Sequence, residues 1–230
     1  MQTTPGFRHE LKFVINRADY MAIKQRIAPV MARDPHAGKN GIYTVRSIYF
    51  DNYNDRALRE KIDGVAHREK FRIRYYDDDL SFISLEKKIK HNDLCLKLQS
   101  PLPLADFRAI ATDPAAWSPD CPAPLVRELA IKMKTRQLRP RVLVSYTREA
   151  FVYAAGNVRV TFDSNIRTSL FATDFADGAP PDISAADSPG DIVLEVKYDE
   201  FLPDIIQCLL QCEGLRQQAF SKYGACRRFG

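Results

Sequence analysis

Residues 70–76 read KFRIRYY, with Lys70, Arg72 and Arg74 at every second position and apolar residues between them. Side chains alternate across a β-strand, so a strand formed here has one cationic face and one apolar face. The stretch RHELKF at 8–13 shows the same alternation of charged and uncharged residues. If such charged faces converge in the fold, they form a cage for a polyanion.

Charges at every second position recur on later β-like stretches. Over all these segments the alternating charges comprise eleven bases and four acids, whereas the whole chain has 34 Lys and Arg against 29 Asp and Glu. Two like charges about 6 Å apart repel by roughly 3 kcal/mol at an effective dielectric near 20. A dense group of bases therefore predicts a missing anion or an open, wet surface. The later alternating charges are Glu86, Lys88, Lys90, Lys97, Arg148, Arg159, Asp163, Glu195 and Lys197.

The bulk composition favours a single cytoplasmic domain over residues 1–230. A hydrophobic content of 45% is enough for a sizeable core, and no long flexible linker divides the chain. The net charge of +5 is mild, so composition does not indicate a nucleic-acid partner. No apolar run has the length of a membrane helix, and the five cysteines form no CxxC pair, which fits a reducing compartment.

The order of predicted elements indicates an α+β fold. About eight strands connected by short turns predict an antiparallel sheet closed into an eight-stranded barrel, flanked by helices, and residues 101–136 read as a helical insertion. Because the charged faces are so basic, we expect them to line a tunnel, with the apolar faces packed under the helices. The segment 174–190 is predicted to be a mobile loop, and Asp51 and Asn52 to form an exposed turn at a strand end.

Several motifs, taken together and in this order, resemble a known family. The chain is similar over nearly its whole length to the catalytic domain of VTC-type polyphosphate polymerases, within the triphosphate tunnel metalloenzyme (CYTH-like) superfamily. The motifs that carry the resemblance are RHELKF at 8–13, SIYFDN at 47–52, KFRIRYY at 70–76, LEKKIK at 85–90, SYTREAF at 145–151, VRVTFD at 158–163, LEVKY at 194–198 and FSKYG at 220–224.

The resemblance implies roles for particular residues. Tyr146 is similar to the aromatic residue that stacks on the nucleotide base, and Ser221 to a residue beside the terminal phosphate. Glu195 is similar to the metal-binding carboxylate for Mn²⁺ or Mg²⁺, and Glu10 or Glu86 could join it. Lys90 and Lys197 are expected to contact substrate as well. The implied phosphate-coordinating cations are Lys12, Arg72, Arg74, Lys88, Lys97, Arg148, Arg159 and Lys222.

The implied activity is transfer of the γ-phosphate of ATP to a growing polyphosphate chain. The residue inventory suits this chemistry, since phosphoryl transfer depends mostly on positioning and charge neutralisation. Hydrolases and cyclases of the superfamily carry an ExExK signature, whereas Arg8 stands here in place of the first glutamate. The replacement should weaken binding of a second metal and strengthen retention of polyphosphate, which favours synthesis.

Two other functions stay open at this stage. The same tunnel could serve a metal-dependent tripolyphosphatase or nucleoside triphosphatase, or a module that binds polyphosphate without turning it over. The expected small-molecule partners are ATP and polyphosphate or pyrophosphate. Any membrane partner, and with it any peripheral membrane location, would depend on a separate chain. The pair Arg227-Arg228 is interpreted as a solvated chain end.

Overall fold

A computed structural model of the chain describes residues 6–35, 37–38, 40–120, 123–169, 183–184 and 190–227. The strands of this part of the chain are β1 His9–Ile15, β2 Ala32–Arg33, β3 Ile42–Asp51, β4 His67–Tyr76, β5 Asp79–His91, β6 Leu94–Pro101, β7 Arg139–Tyr153, β8 Val158–Ser169, β9 Ile183–Ser184 and β10 Ile192–Tyr198. Its helices are α1 Arg17–Ile27, α2 Arg56–Ile62, α3 Leu104–Thr112, α4 Pro124–Thr135, α5 Asp204–Leu210 and α6 Lys222–Cys226.

All the strands belong to one antiparallel sheet, which confirms the α+β class. Eight of them follow one another in the order β1-β10-β8-β7-β3-β4-β5-β6, while β2 pairs with β7 and β9 pairs with β8. Two helices, α3 and α4, lie within residues 101–136. The predicted loop at 174–190 lies outside the described residues apart from 183–184 and 190.

The prediction of a closed barrel is wrong. Closure requires the two edge strands to pair along their length, but within the described residues the only backbone pairing between these two edges is the bridge of Arg8, just before β1, with Cys95 of β6. There the backbone N–H of each residue donates to the carbonyl of the other at 3.0 Å. β1 forms a full ladder with β10 on one side and only this single bridge on the other, so the sheet is curled and open.

The apolar face of the curled sheet packs under the helices, as the alternation predicts. α1 and α5 cover one core, where Ile23 and Ile206 have no exposed surface and meet Phe162 and Leu194 of the sheet. α3 and α4 cover a second core, where Phe107 and Leu129 are likewise fully buried. Each helix packs apolar residues that are three or four positions apart against every second residue of the strands below it.

The opposite face carries the charged side chains and, at one end, a third apolar cluster. In this cluster the α6 residue Tyr223 stacks on Tyr49 of β3, with ring centroids 5.2 Å apart. α6 therefore lies against the concave face, and that face is ionic over part of its area only. None of the described helices combines the length and the apolar character needed to cross a membrane.

Candidate functional site

The first ionic cluster joins the edge strand β1 to β5, which lies next to the opposite edge of the curled sheet. Glu10 on β1 accepts from Lys12 at 2.7 Å and from Lys88 on β5 at 2.6 Å. Glu195 on β10 lies 3.3 Å from the Nζ atom of Lys12 and 2.7 Å from that of Lys197. The antiparallel register places Glu10 opposite Lys197 and Lys12 opposite Glu195, so the alternation and the strand pairing together put this quartet on one face.

The charges of this cluster control one another's protonation. Burial raises the pKa of Glu10, but the ammonium groups of Lys12 and Lys88 outweigh it and leave that pKa well below its usual value. Burial likewise raises the pKa of Glu195, but the charges of Lys197 and Lys12 outweigh it and leave that pKa well below its usual value. For Lys197 burial prevails over the nearby carboxylates and lowers the pKa to about 8. Both carboxylates are therefore ionised at neutral pH.

The second cluster is centred on the buried carboxylate of Glu86 on β5. The Nη2 atom of Arg72 lies 2.5 Å from Oε2 of Glu86, and Lys97 reaches Oε1 at 3.4 Å. Arg74 lies 3.7 Å from the same Oε2 atom and donates to the hydroxyl of Tyr146 at 3.1 Å. Burial raises the pKa of Glu86, but Arg72 and Arg74 hold it well below its ordinary value.

The third cluster surrounds Asp163 of β8, which has no exposed surface. Arg148 binds this carboxylate through two nitrogens, at 2.6 and 2.7 Å, and the Nζ atom of Lys222 lies 2.6 Å from Oδ2. Both cations also face the ring of Tyr146, with Arg148 at 5.2 Å and Lys222 at 4.8 Å from its centroid. Only 2% of Tyr146 is exposed, so stacking of a nucleotide base on it, as predicted, requires these cations to move.

The remaining predicted residues form no ion pair with the carboxylates of these clusters, although Arg159 stands opposite Lys197 in the sheet. Arg159 contacts Asp34 and donates to the hydroxyl of Tyr43 at 3.0 Å. Ser221 caps α6, where its Oγ atom accepts from the backbone N–H of Gly224 at 3.2 Å. Lys90 makes no ion pair with a carboxylate of the described residues, and it stands opposite Arg68 and Cys95 in the sheet.

The comparisons with known proteins point to one family. The family model of the VTC domain matches residues 7–229. The chain belongs to the VTC domain family. The sequence-based assignment to this family is thus confirmed, and no curated protein matches the chain.

Two solved structures share the fold of this VTC domain. A candidate adenylyl cyclase from Hippeastrum, described as having a dominant triphosphatase activity, is 11% identical, with a TM-score of 0.54 over 97% of this chain and 95% of that one. An assigned adenylate cyclase of Bacillus halodurans is 14% identical, with a TM-score of 0.50 over 85% of this chain and 82% of that one. At such identities the likeness concerns the fold alone.

Asp51 is a residue of this VTC domain whose place the sequence analysis missed. The expected exposed turn is wrong for it, because its side chain is 1% exposed and accepts from the backbone N–H groups of Ala57 and Leu58 and from the hydroxyl of Tyr223. The alternation from Tyr43 to Asp51 was the available signal, since it puts Asp51 on the concave face with Tyr49.

Arg227 is a second correction. The predicted solvated chain end is wrong for this residue, because its guanidinium lies 2.6 Å from Asp55 and its side chain is 8% exposed. Arg228 lies outside the described residues. The alternation alone gives Asp163 no role, and in the structure it is the carboxylate that holds Arg148 and Lys222.

The predicted metal ligands fall into two groups. Glu10 and Glu195 both contact Lys12 and are both ionised, so they offer the hard oxygen donors that Mg²⁺ and Mn²⁺ prefer. Glu86 belongs to the separate cluster around Arg72, and the described residues include no group of three His, Cys, Asp or Glu side chains that could enclose a metal. The pair therefore fits an ion that also takes ligands from phosphate or water, and the structure does not bring Glu86 to that pair.

Proposed function

We propose that this VTC domain is a metal-assisted polyphosphate polymerase, which transfers the γ-phosphate of a nucleoside triphosphate to a polyphosphate chain. The observation that carries the proposal is the imbalance of charge on the concave face. The three clusters contain eight bases and four carboxylates, which leaves a surplus of four positive charges for an anionic substrate. The family match over residues 7–229 supports the same proposal.

The carboxylates hold the cations in place before substrate binds. Arg148 is fixed by two bonds to Asp163, and Arg72 by Glu86 and by the hydroxyl of Tyr49 at 3.0 Å. Preorganised cations stabilise a transition state better than mobile ones, since they need not reorganise while charge redistributes. Guanidinium groups contact phosphate oxygens directionally and often through two nitrogens.

The reaction needs little else from the protein. Phosphoryl transfer passes through a loose, anionic transition state, which the surrounding Lys and Arg side chains stabilise. The acceptor oxygen of a phosphate chain is already ionised, so the site needs no general base. A divalent ion held by Glu10 and Glu195 would add positive charge against the phosphate oxygens.

The decisive experiment is turnover of ATP by the purified chain with Mn²⁺ or Mg²⁺, followed by sizing of the products. A polymerase accumulates phosphate chains, and Arg72→Ala should abolish them, because it removes a central cation and leaves Glu86 short of a partner. Arg108→Ala, on an exposed position of α3, is the matched control and should keep full activity. Full synthesis by a folded Arg72→Ala variant contradicts the proposed site.

A triphosphatase is the second candidate, favoured by the activity described for the Hippeastrum protein of the same fold. It would release inorganic phosphate from ATP or tripolyphosphate and form no chains. Tight binding of polyphosphate without release of either product would instead indicate a module that only binds. The same assay therefore separates the three functions.

A further inference from the structure

An opening in the sheet separates the end of β3 from the start of β4. The ladder between these strands ends at the pair Tyr49–Arg72, so residues 67–71 of β4 pair with β5 alone. α2 packs against β4 at this point. A cavity of about 410 Å³ lies here, lined by residues of β3, α2, β4, β5 and α4.

The acidic residues that line this cavity are all engaged. Asp51 accepts from the α2 backbone and from Tyr223, and Glu60 accepts from Arg56 at 2.6 Å. Glu69 and Glu128 share contacts with Lys87 and Lys132 across the outer face of the sheet. Three lining bases make no ion pair with a described carboxylate, and these are Arg68, Lys70 and Lys90.

Two of these bases continue the line of cations on β4. Arg68 and Lys70 precede Arg72 at alternate positions, so four successive bases follow one face of the strand from the opening to the Glu86 cluster. The Nζ atom of Lys70 lies 4.9 Å from the ring centroid of Tyr223, on the concave side. The three ionic clusters together form the central site. The opening is therefore connected to this central site along a single strand.

The bases at the opening repel one another. Burial, followed by the charges of Arg68, Lys88 and Lys61, lowers the pKa of Lys70 to about 7. Burial also lowers the pKa of Lys61 on α2, and Arg68 lowers it further. Crowded bases without carboxylate partners are stabilised when a polyanion lies among them.

We propose that the opening between β3 and β4 is a second subsite for a phosphate chain, in which Arg68, Lys70 and Lys90 hold the segment that extends beyond the central cations. The assignment rests on the proposed function in taking polyphosphate as the ligand. A chain is favoured over a single phosphate because the line of bases runs continuously from the central site to the opening. A short ligand such as tripolyphosphate would occupy the central clusters and leave this subsite empty.

The test compares two ligands, tripolyphosphate and a polyphosphate of about twenty units, by calorimetric titration without nucleotide. Arg68→Gln and Lys70→Met should each weaken binding of the long chain about tenfold, as expected for the loss of one charge contact, and leave tripolyphosphate within about twofold. Lys134→Ala, which removes one exposed charge from α4, should change neither affinity. Thermal unfolding of each variant identifies any that misfold, and two independent substitutions guard against that outcome.

Unchanged affinity for the long chain in both folded variants overturns the subsite. An equal loss of affinity for both ligands also overturns it, because these bases would then attract any polyanion at long range without contacting the extended chain. Because the titration requires no turnover, a wild-type chain that binds as expected but forms no polyphosphate refutes the polymerase and leaves the subsite standing. A wild-type chain that binds neither ligand refutes both.

Discussion

The hydroxyl of Tyr223 donates a 2.6 Å hydrogen bond to Oδ2 of Asp51, and this bond ties α6 to the end of β3. The same carboxylate accepts from the backbone N–H groups of Ala57 and Leu58 in the first turn of α2, so one buried side chain joins three elements. Burial raises the pKa of Tyr223, and Asp51 raises it further, which keeps the phenol protonated as the donor. Since Lys222 precedes Tyr223, this bond also fixes the helix that presents Lys222 to Asp163.

Tyr223→Phe should lower the free energy of unfolding by about 1.5–3 kcal/mol, the usual range for a hydrogen bond to a charged group. The substitution keeps the ring and its stacking on Tyr49, so the loss reports on the hydroxyl alone. Denaturant titration measures it, with Tyr53→Phe as control, because Tyr53 is 72% exposed. An equal effect of both substitutions would show that the contact with Asp51 adds no stability.

The alternation within each strand was predictable from the sequence, but the meeting of distant strands was not. KFRIRYY fixes which side of β4 is cationic, since the period of two is a local property. The contact of Lys88 with Glu10 joins residues 78 positions apart, and no local pattern specifies it. The wrong prediction of a closed barrel has the same cause, because the sequence indicates the main strands but not whether the two edge strands, β1 and β6, pair with each other.

The error at Asp51 had a different origin. An aspartate after a strand usually belongs to an exposed turn, because its short side chain bonds its own backbone. Here the side chain bonds the backbone of a helix six and seven residues later, and α6 covers it. That role depends on the packing of residues more than 170 positions away, so composition at the strand end could not reveal it.

The helices should stabilise the fold through the convex face of the sheet. Leu129→Ala should cost about 2–5 kcal/mol, because Leu129 is fully buried between α4 and the sheet and its truncation leaves a cavity. Ile131 lies on the same helix with 60% of its surface exposed, so Ile131→Ala should cost well under 1 kcal/mol. Chemical denaturation of both variants checks the contrast. Similar losses would mean that α4 does not pack as described.

Glu195→Gln should weaken metal binding, since the amide keeps the size of the side chain and loses its charge. Calorimetric titration with Mn²⁺ in the absence of nucleotide should show at least a tenfold weaker affinity. Loss of a residue that only supports a metal ligand already costs about tenfold or more, and loss of the ligand itself should cost at least as much. Glu213→Gln, at an exposed position, is the control. Equal affinity in the wild-type chain and Glu195→Gln would remove Glu195 from the metal ligands.

Binding of polyphosphate should take up protons above neutral pH. Lys70 has a pKa of about 7 in the free chain, so at pH 8 it is mostly neutral, and a bound polyanion favours its charged form. At pH 6 it is already charged and contributes no uptake. Lys197, with a pKa of about 8, adds a second contribution. Calorimetry in two buffers of different ionisation enthalpy measures the uptake at each pH, and Lys70→Met should reduce it at pH 8.

The same lysine should affect stability, with a sign that follows from proton linkage. The pKa of Lys70 is about 7 in the folded chain and near 10.5 when unfolded, so between these values the unfolded chain binds more protons. The contribution of Lys70 therefore raises the free energy of unfolding as pH rises from about 7 to 10.5. Below pH 7 Lys70 is charged in both states, and its buried charge destabilises the folded chain by the full amount. Burial lowers this pKa most, the charges of Arg68, Lys88 and Lys61 lower it further, and Asp51 opposes them. Lys70→Met should abolish this part of the pH dependence and stabilise the chain most at pH 6. An unchanged profile would mean that Lys70 is solvated in the free chain, and that the bases at the opening do not crowd one another as the structure indicates.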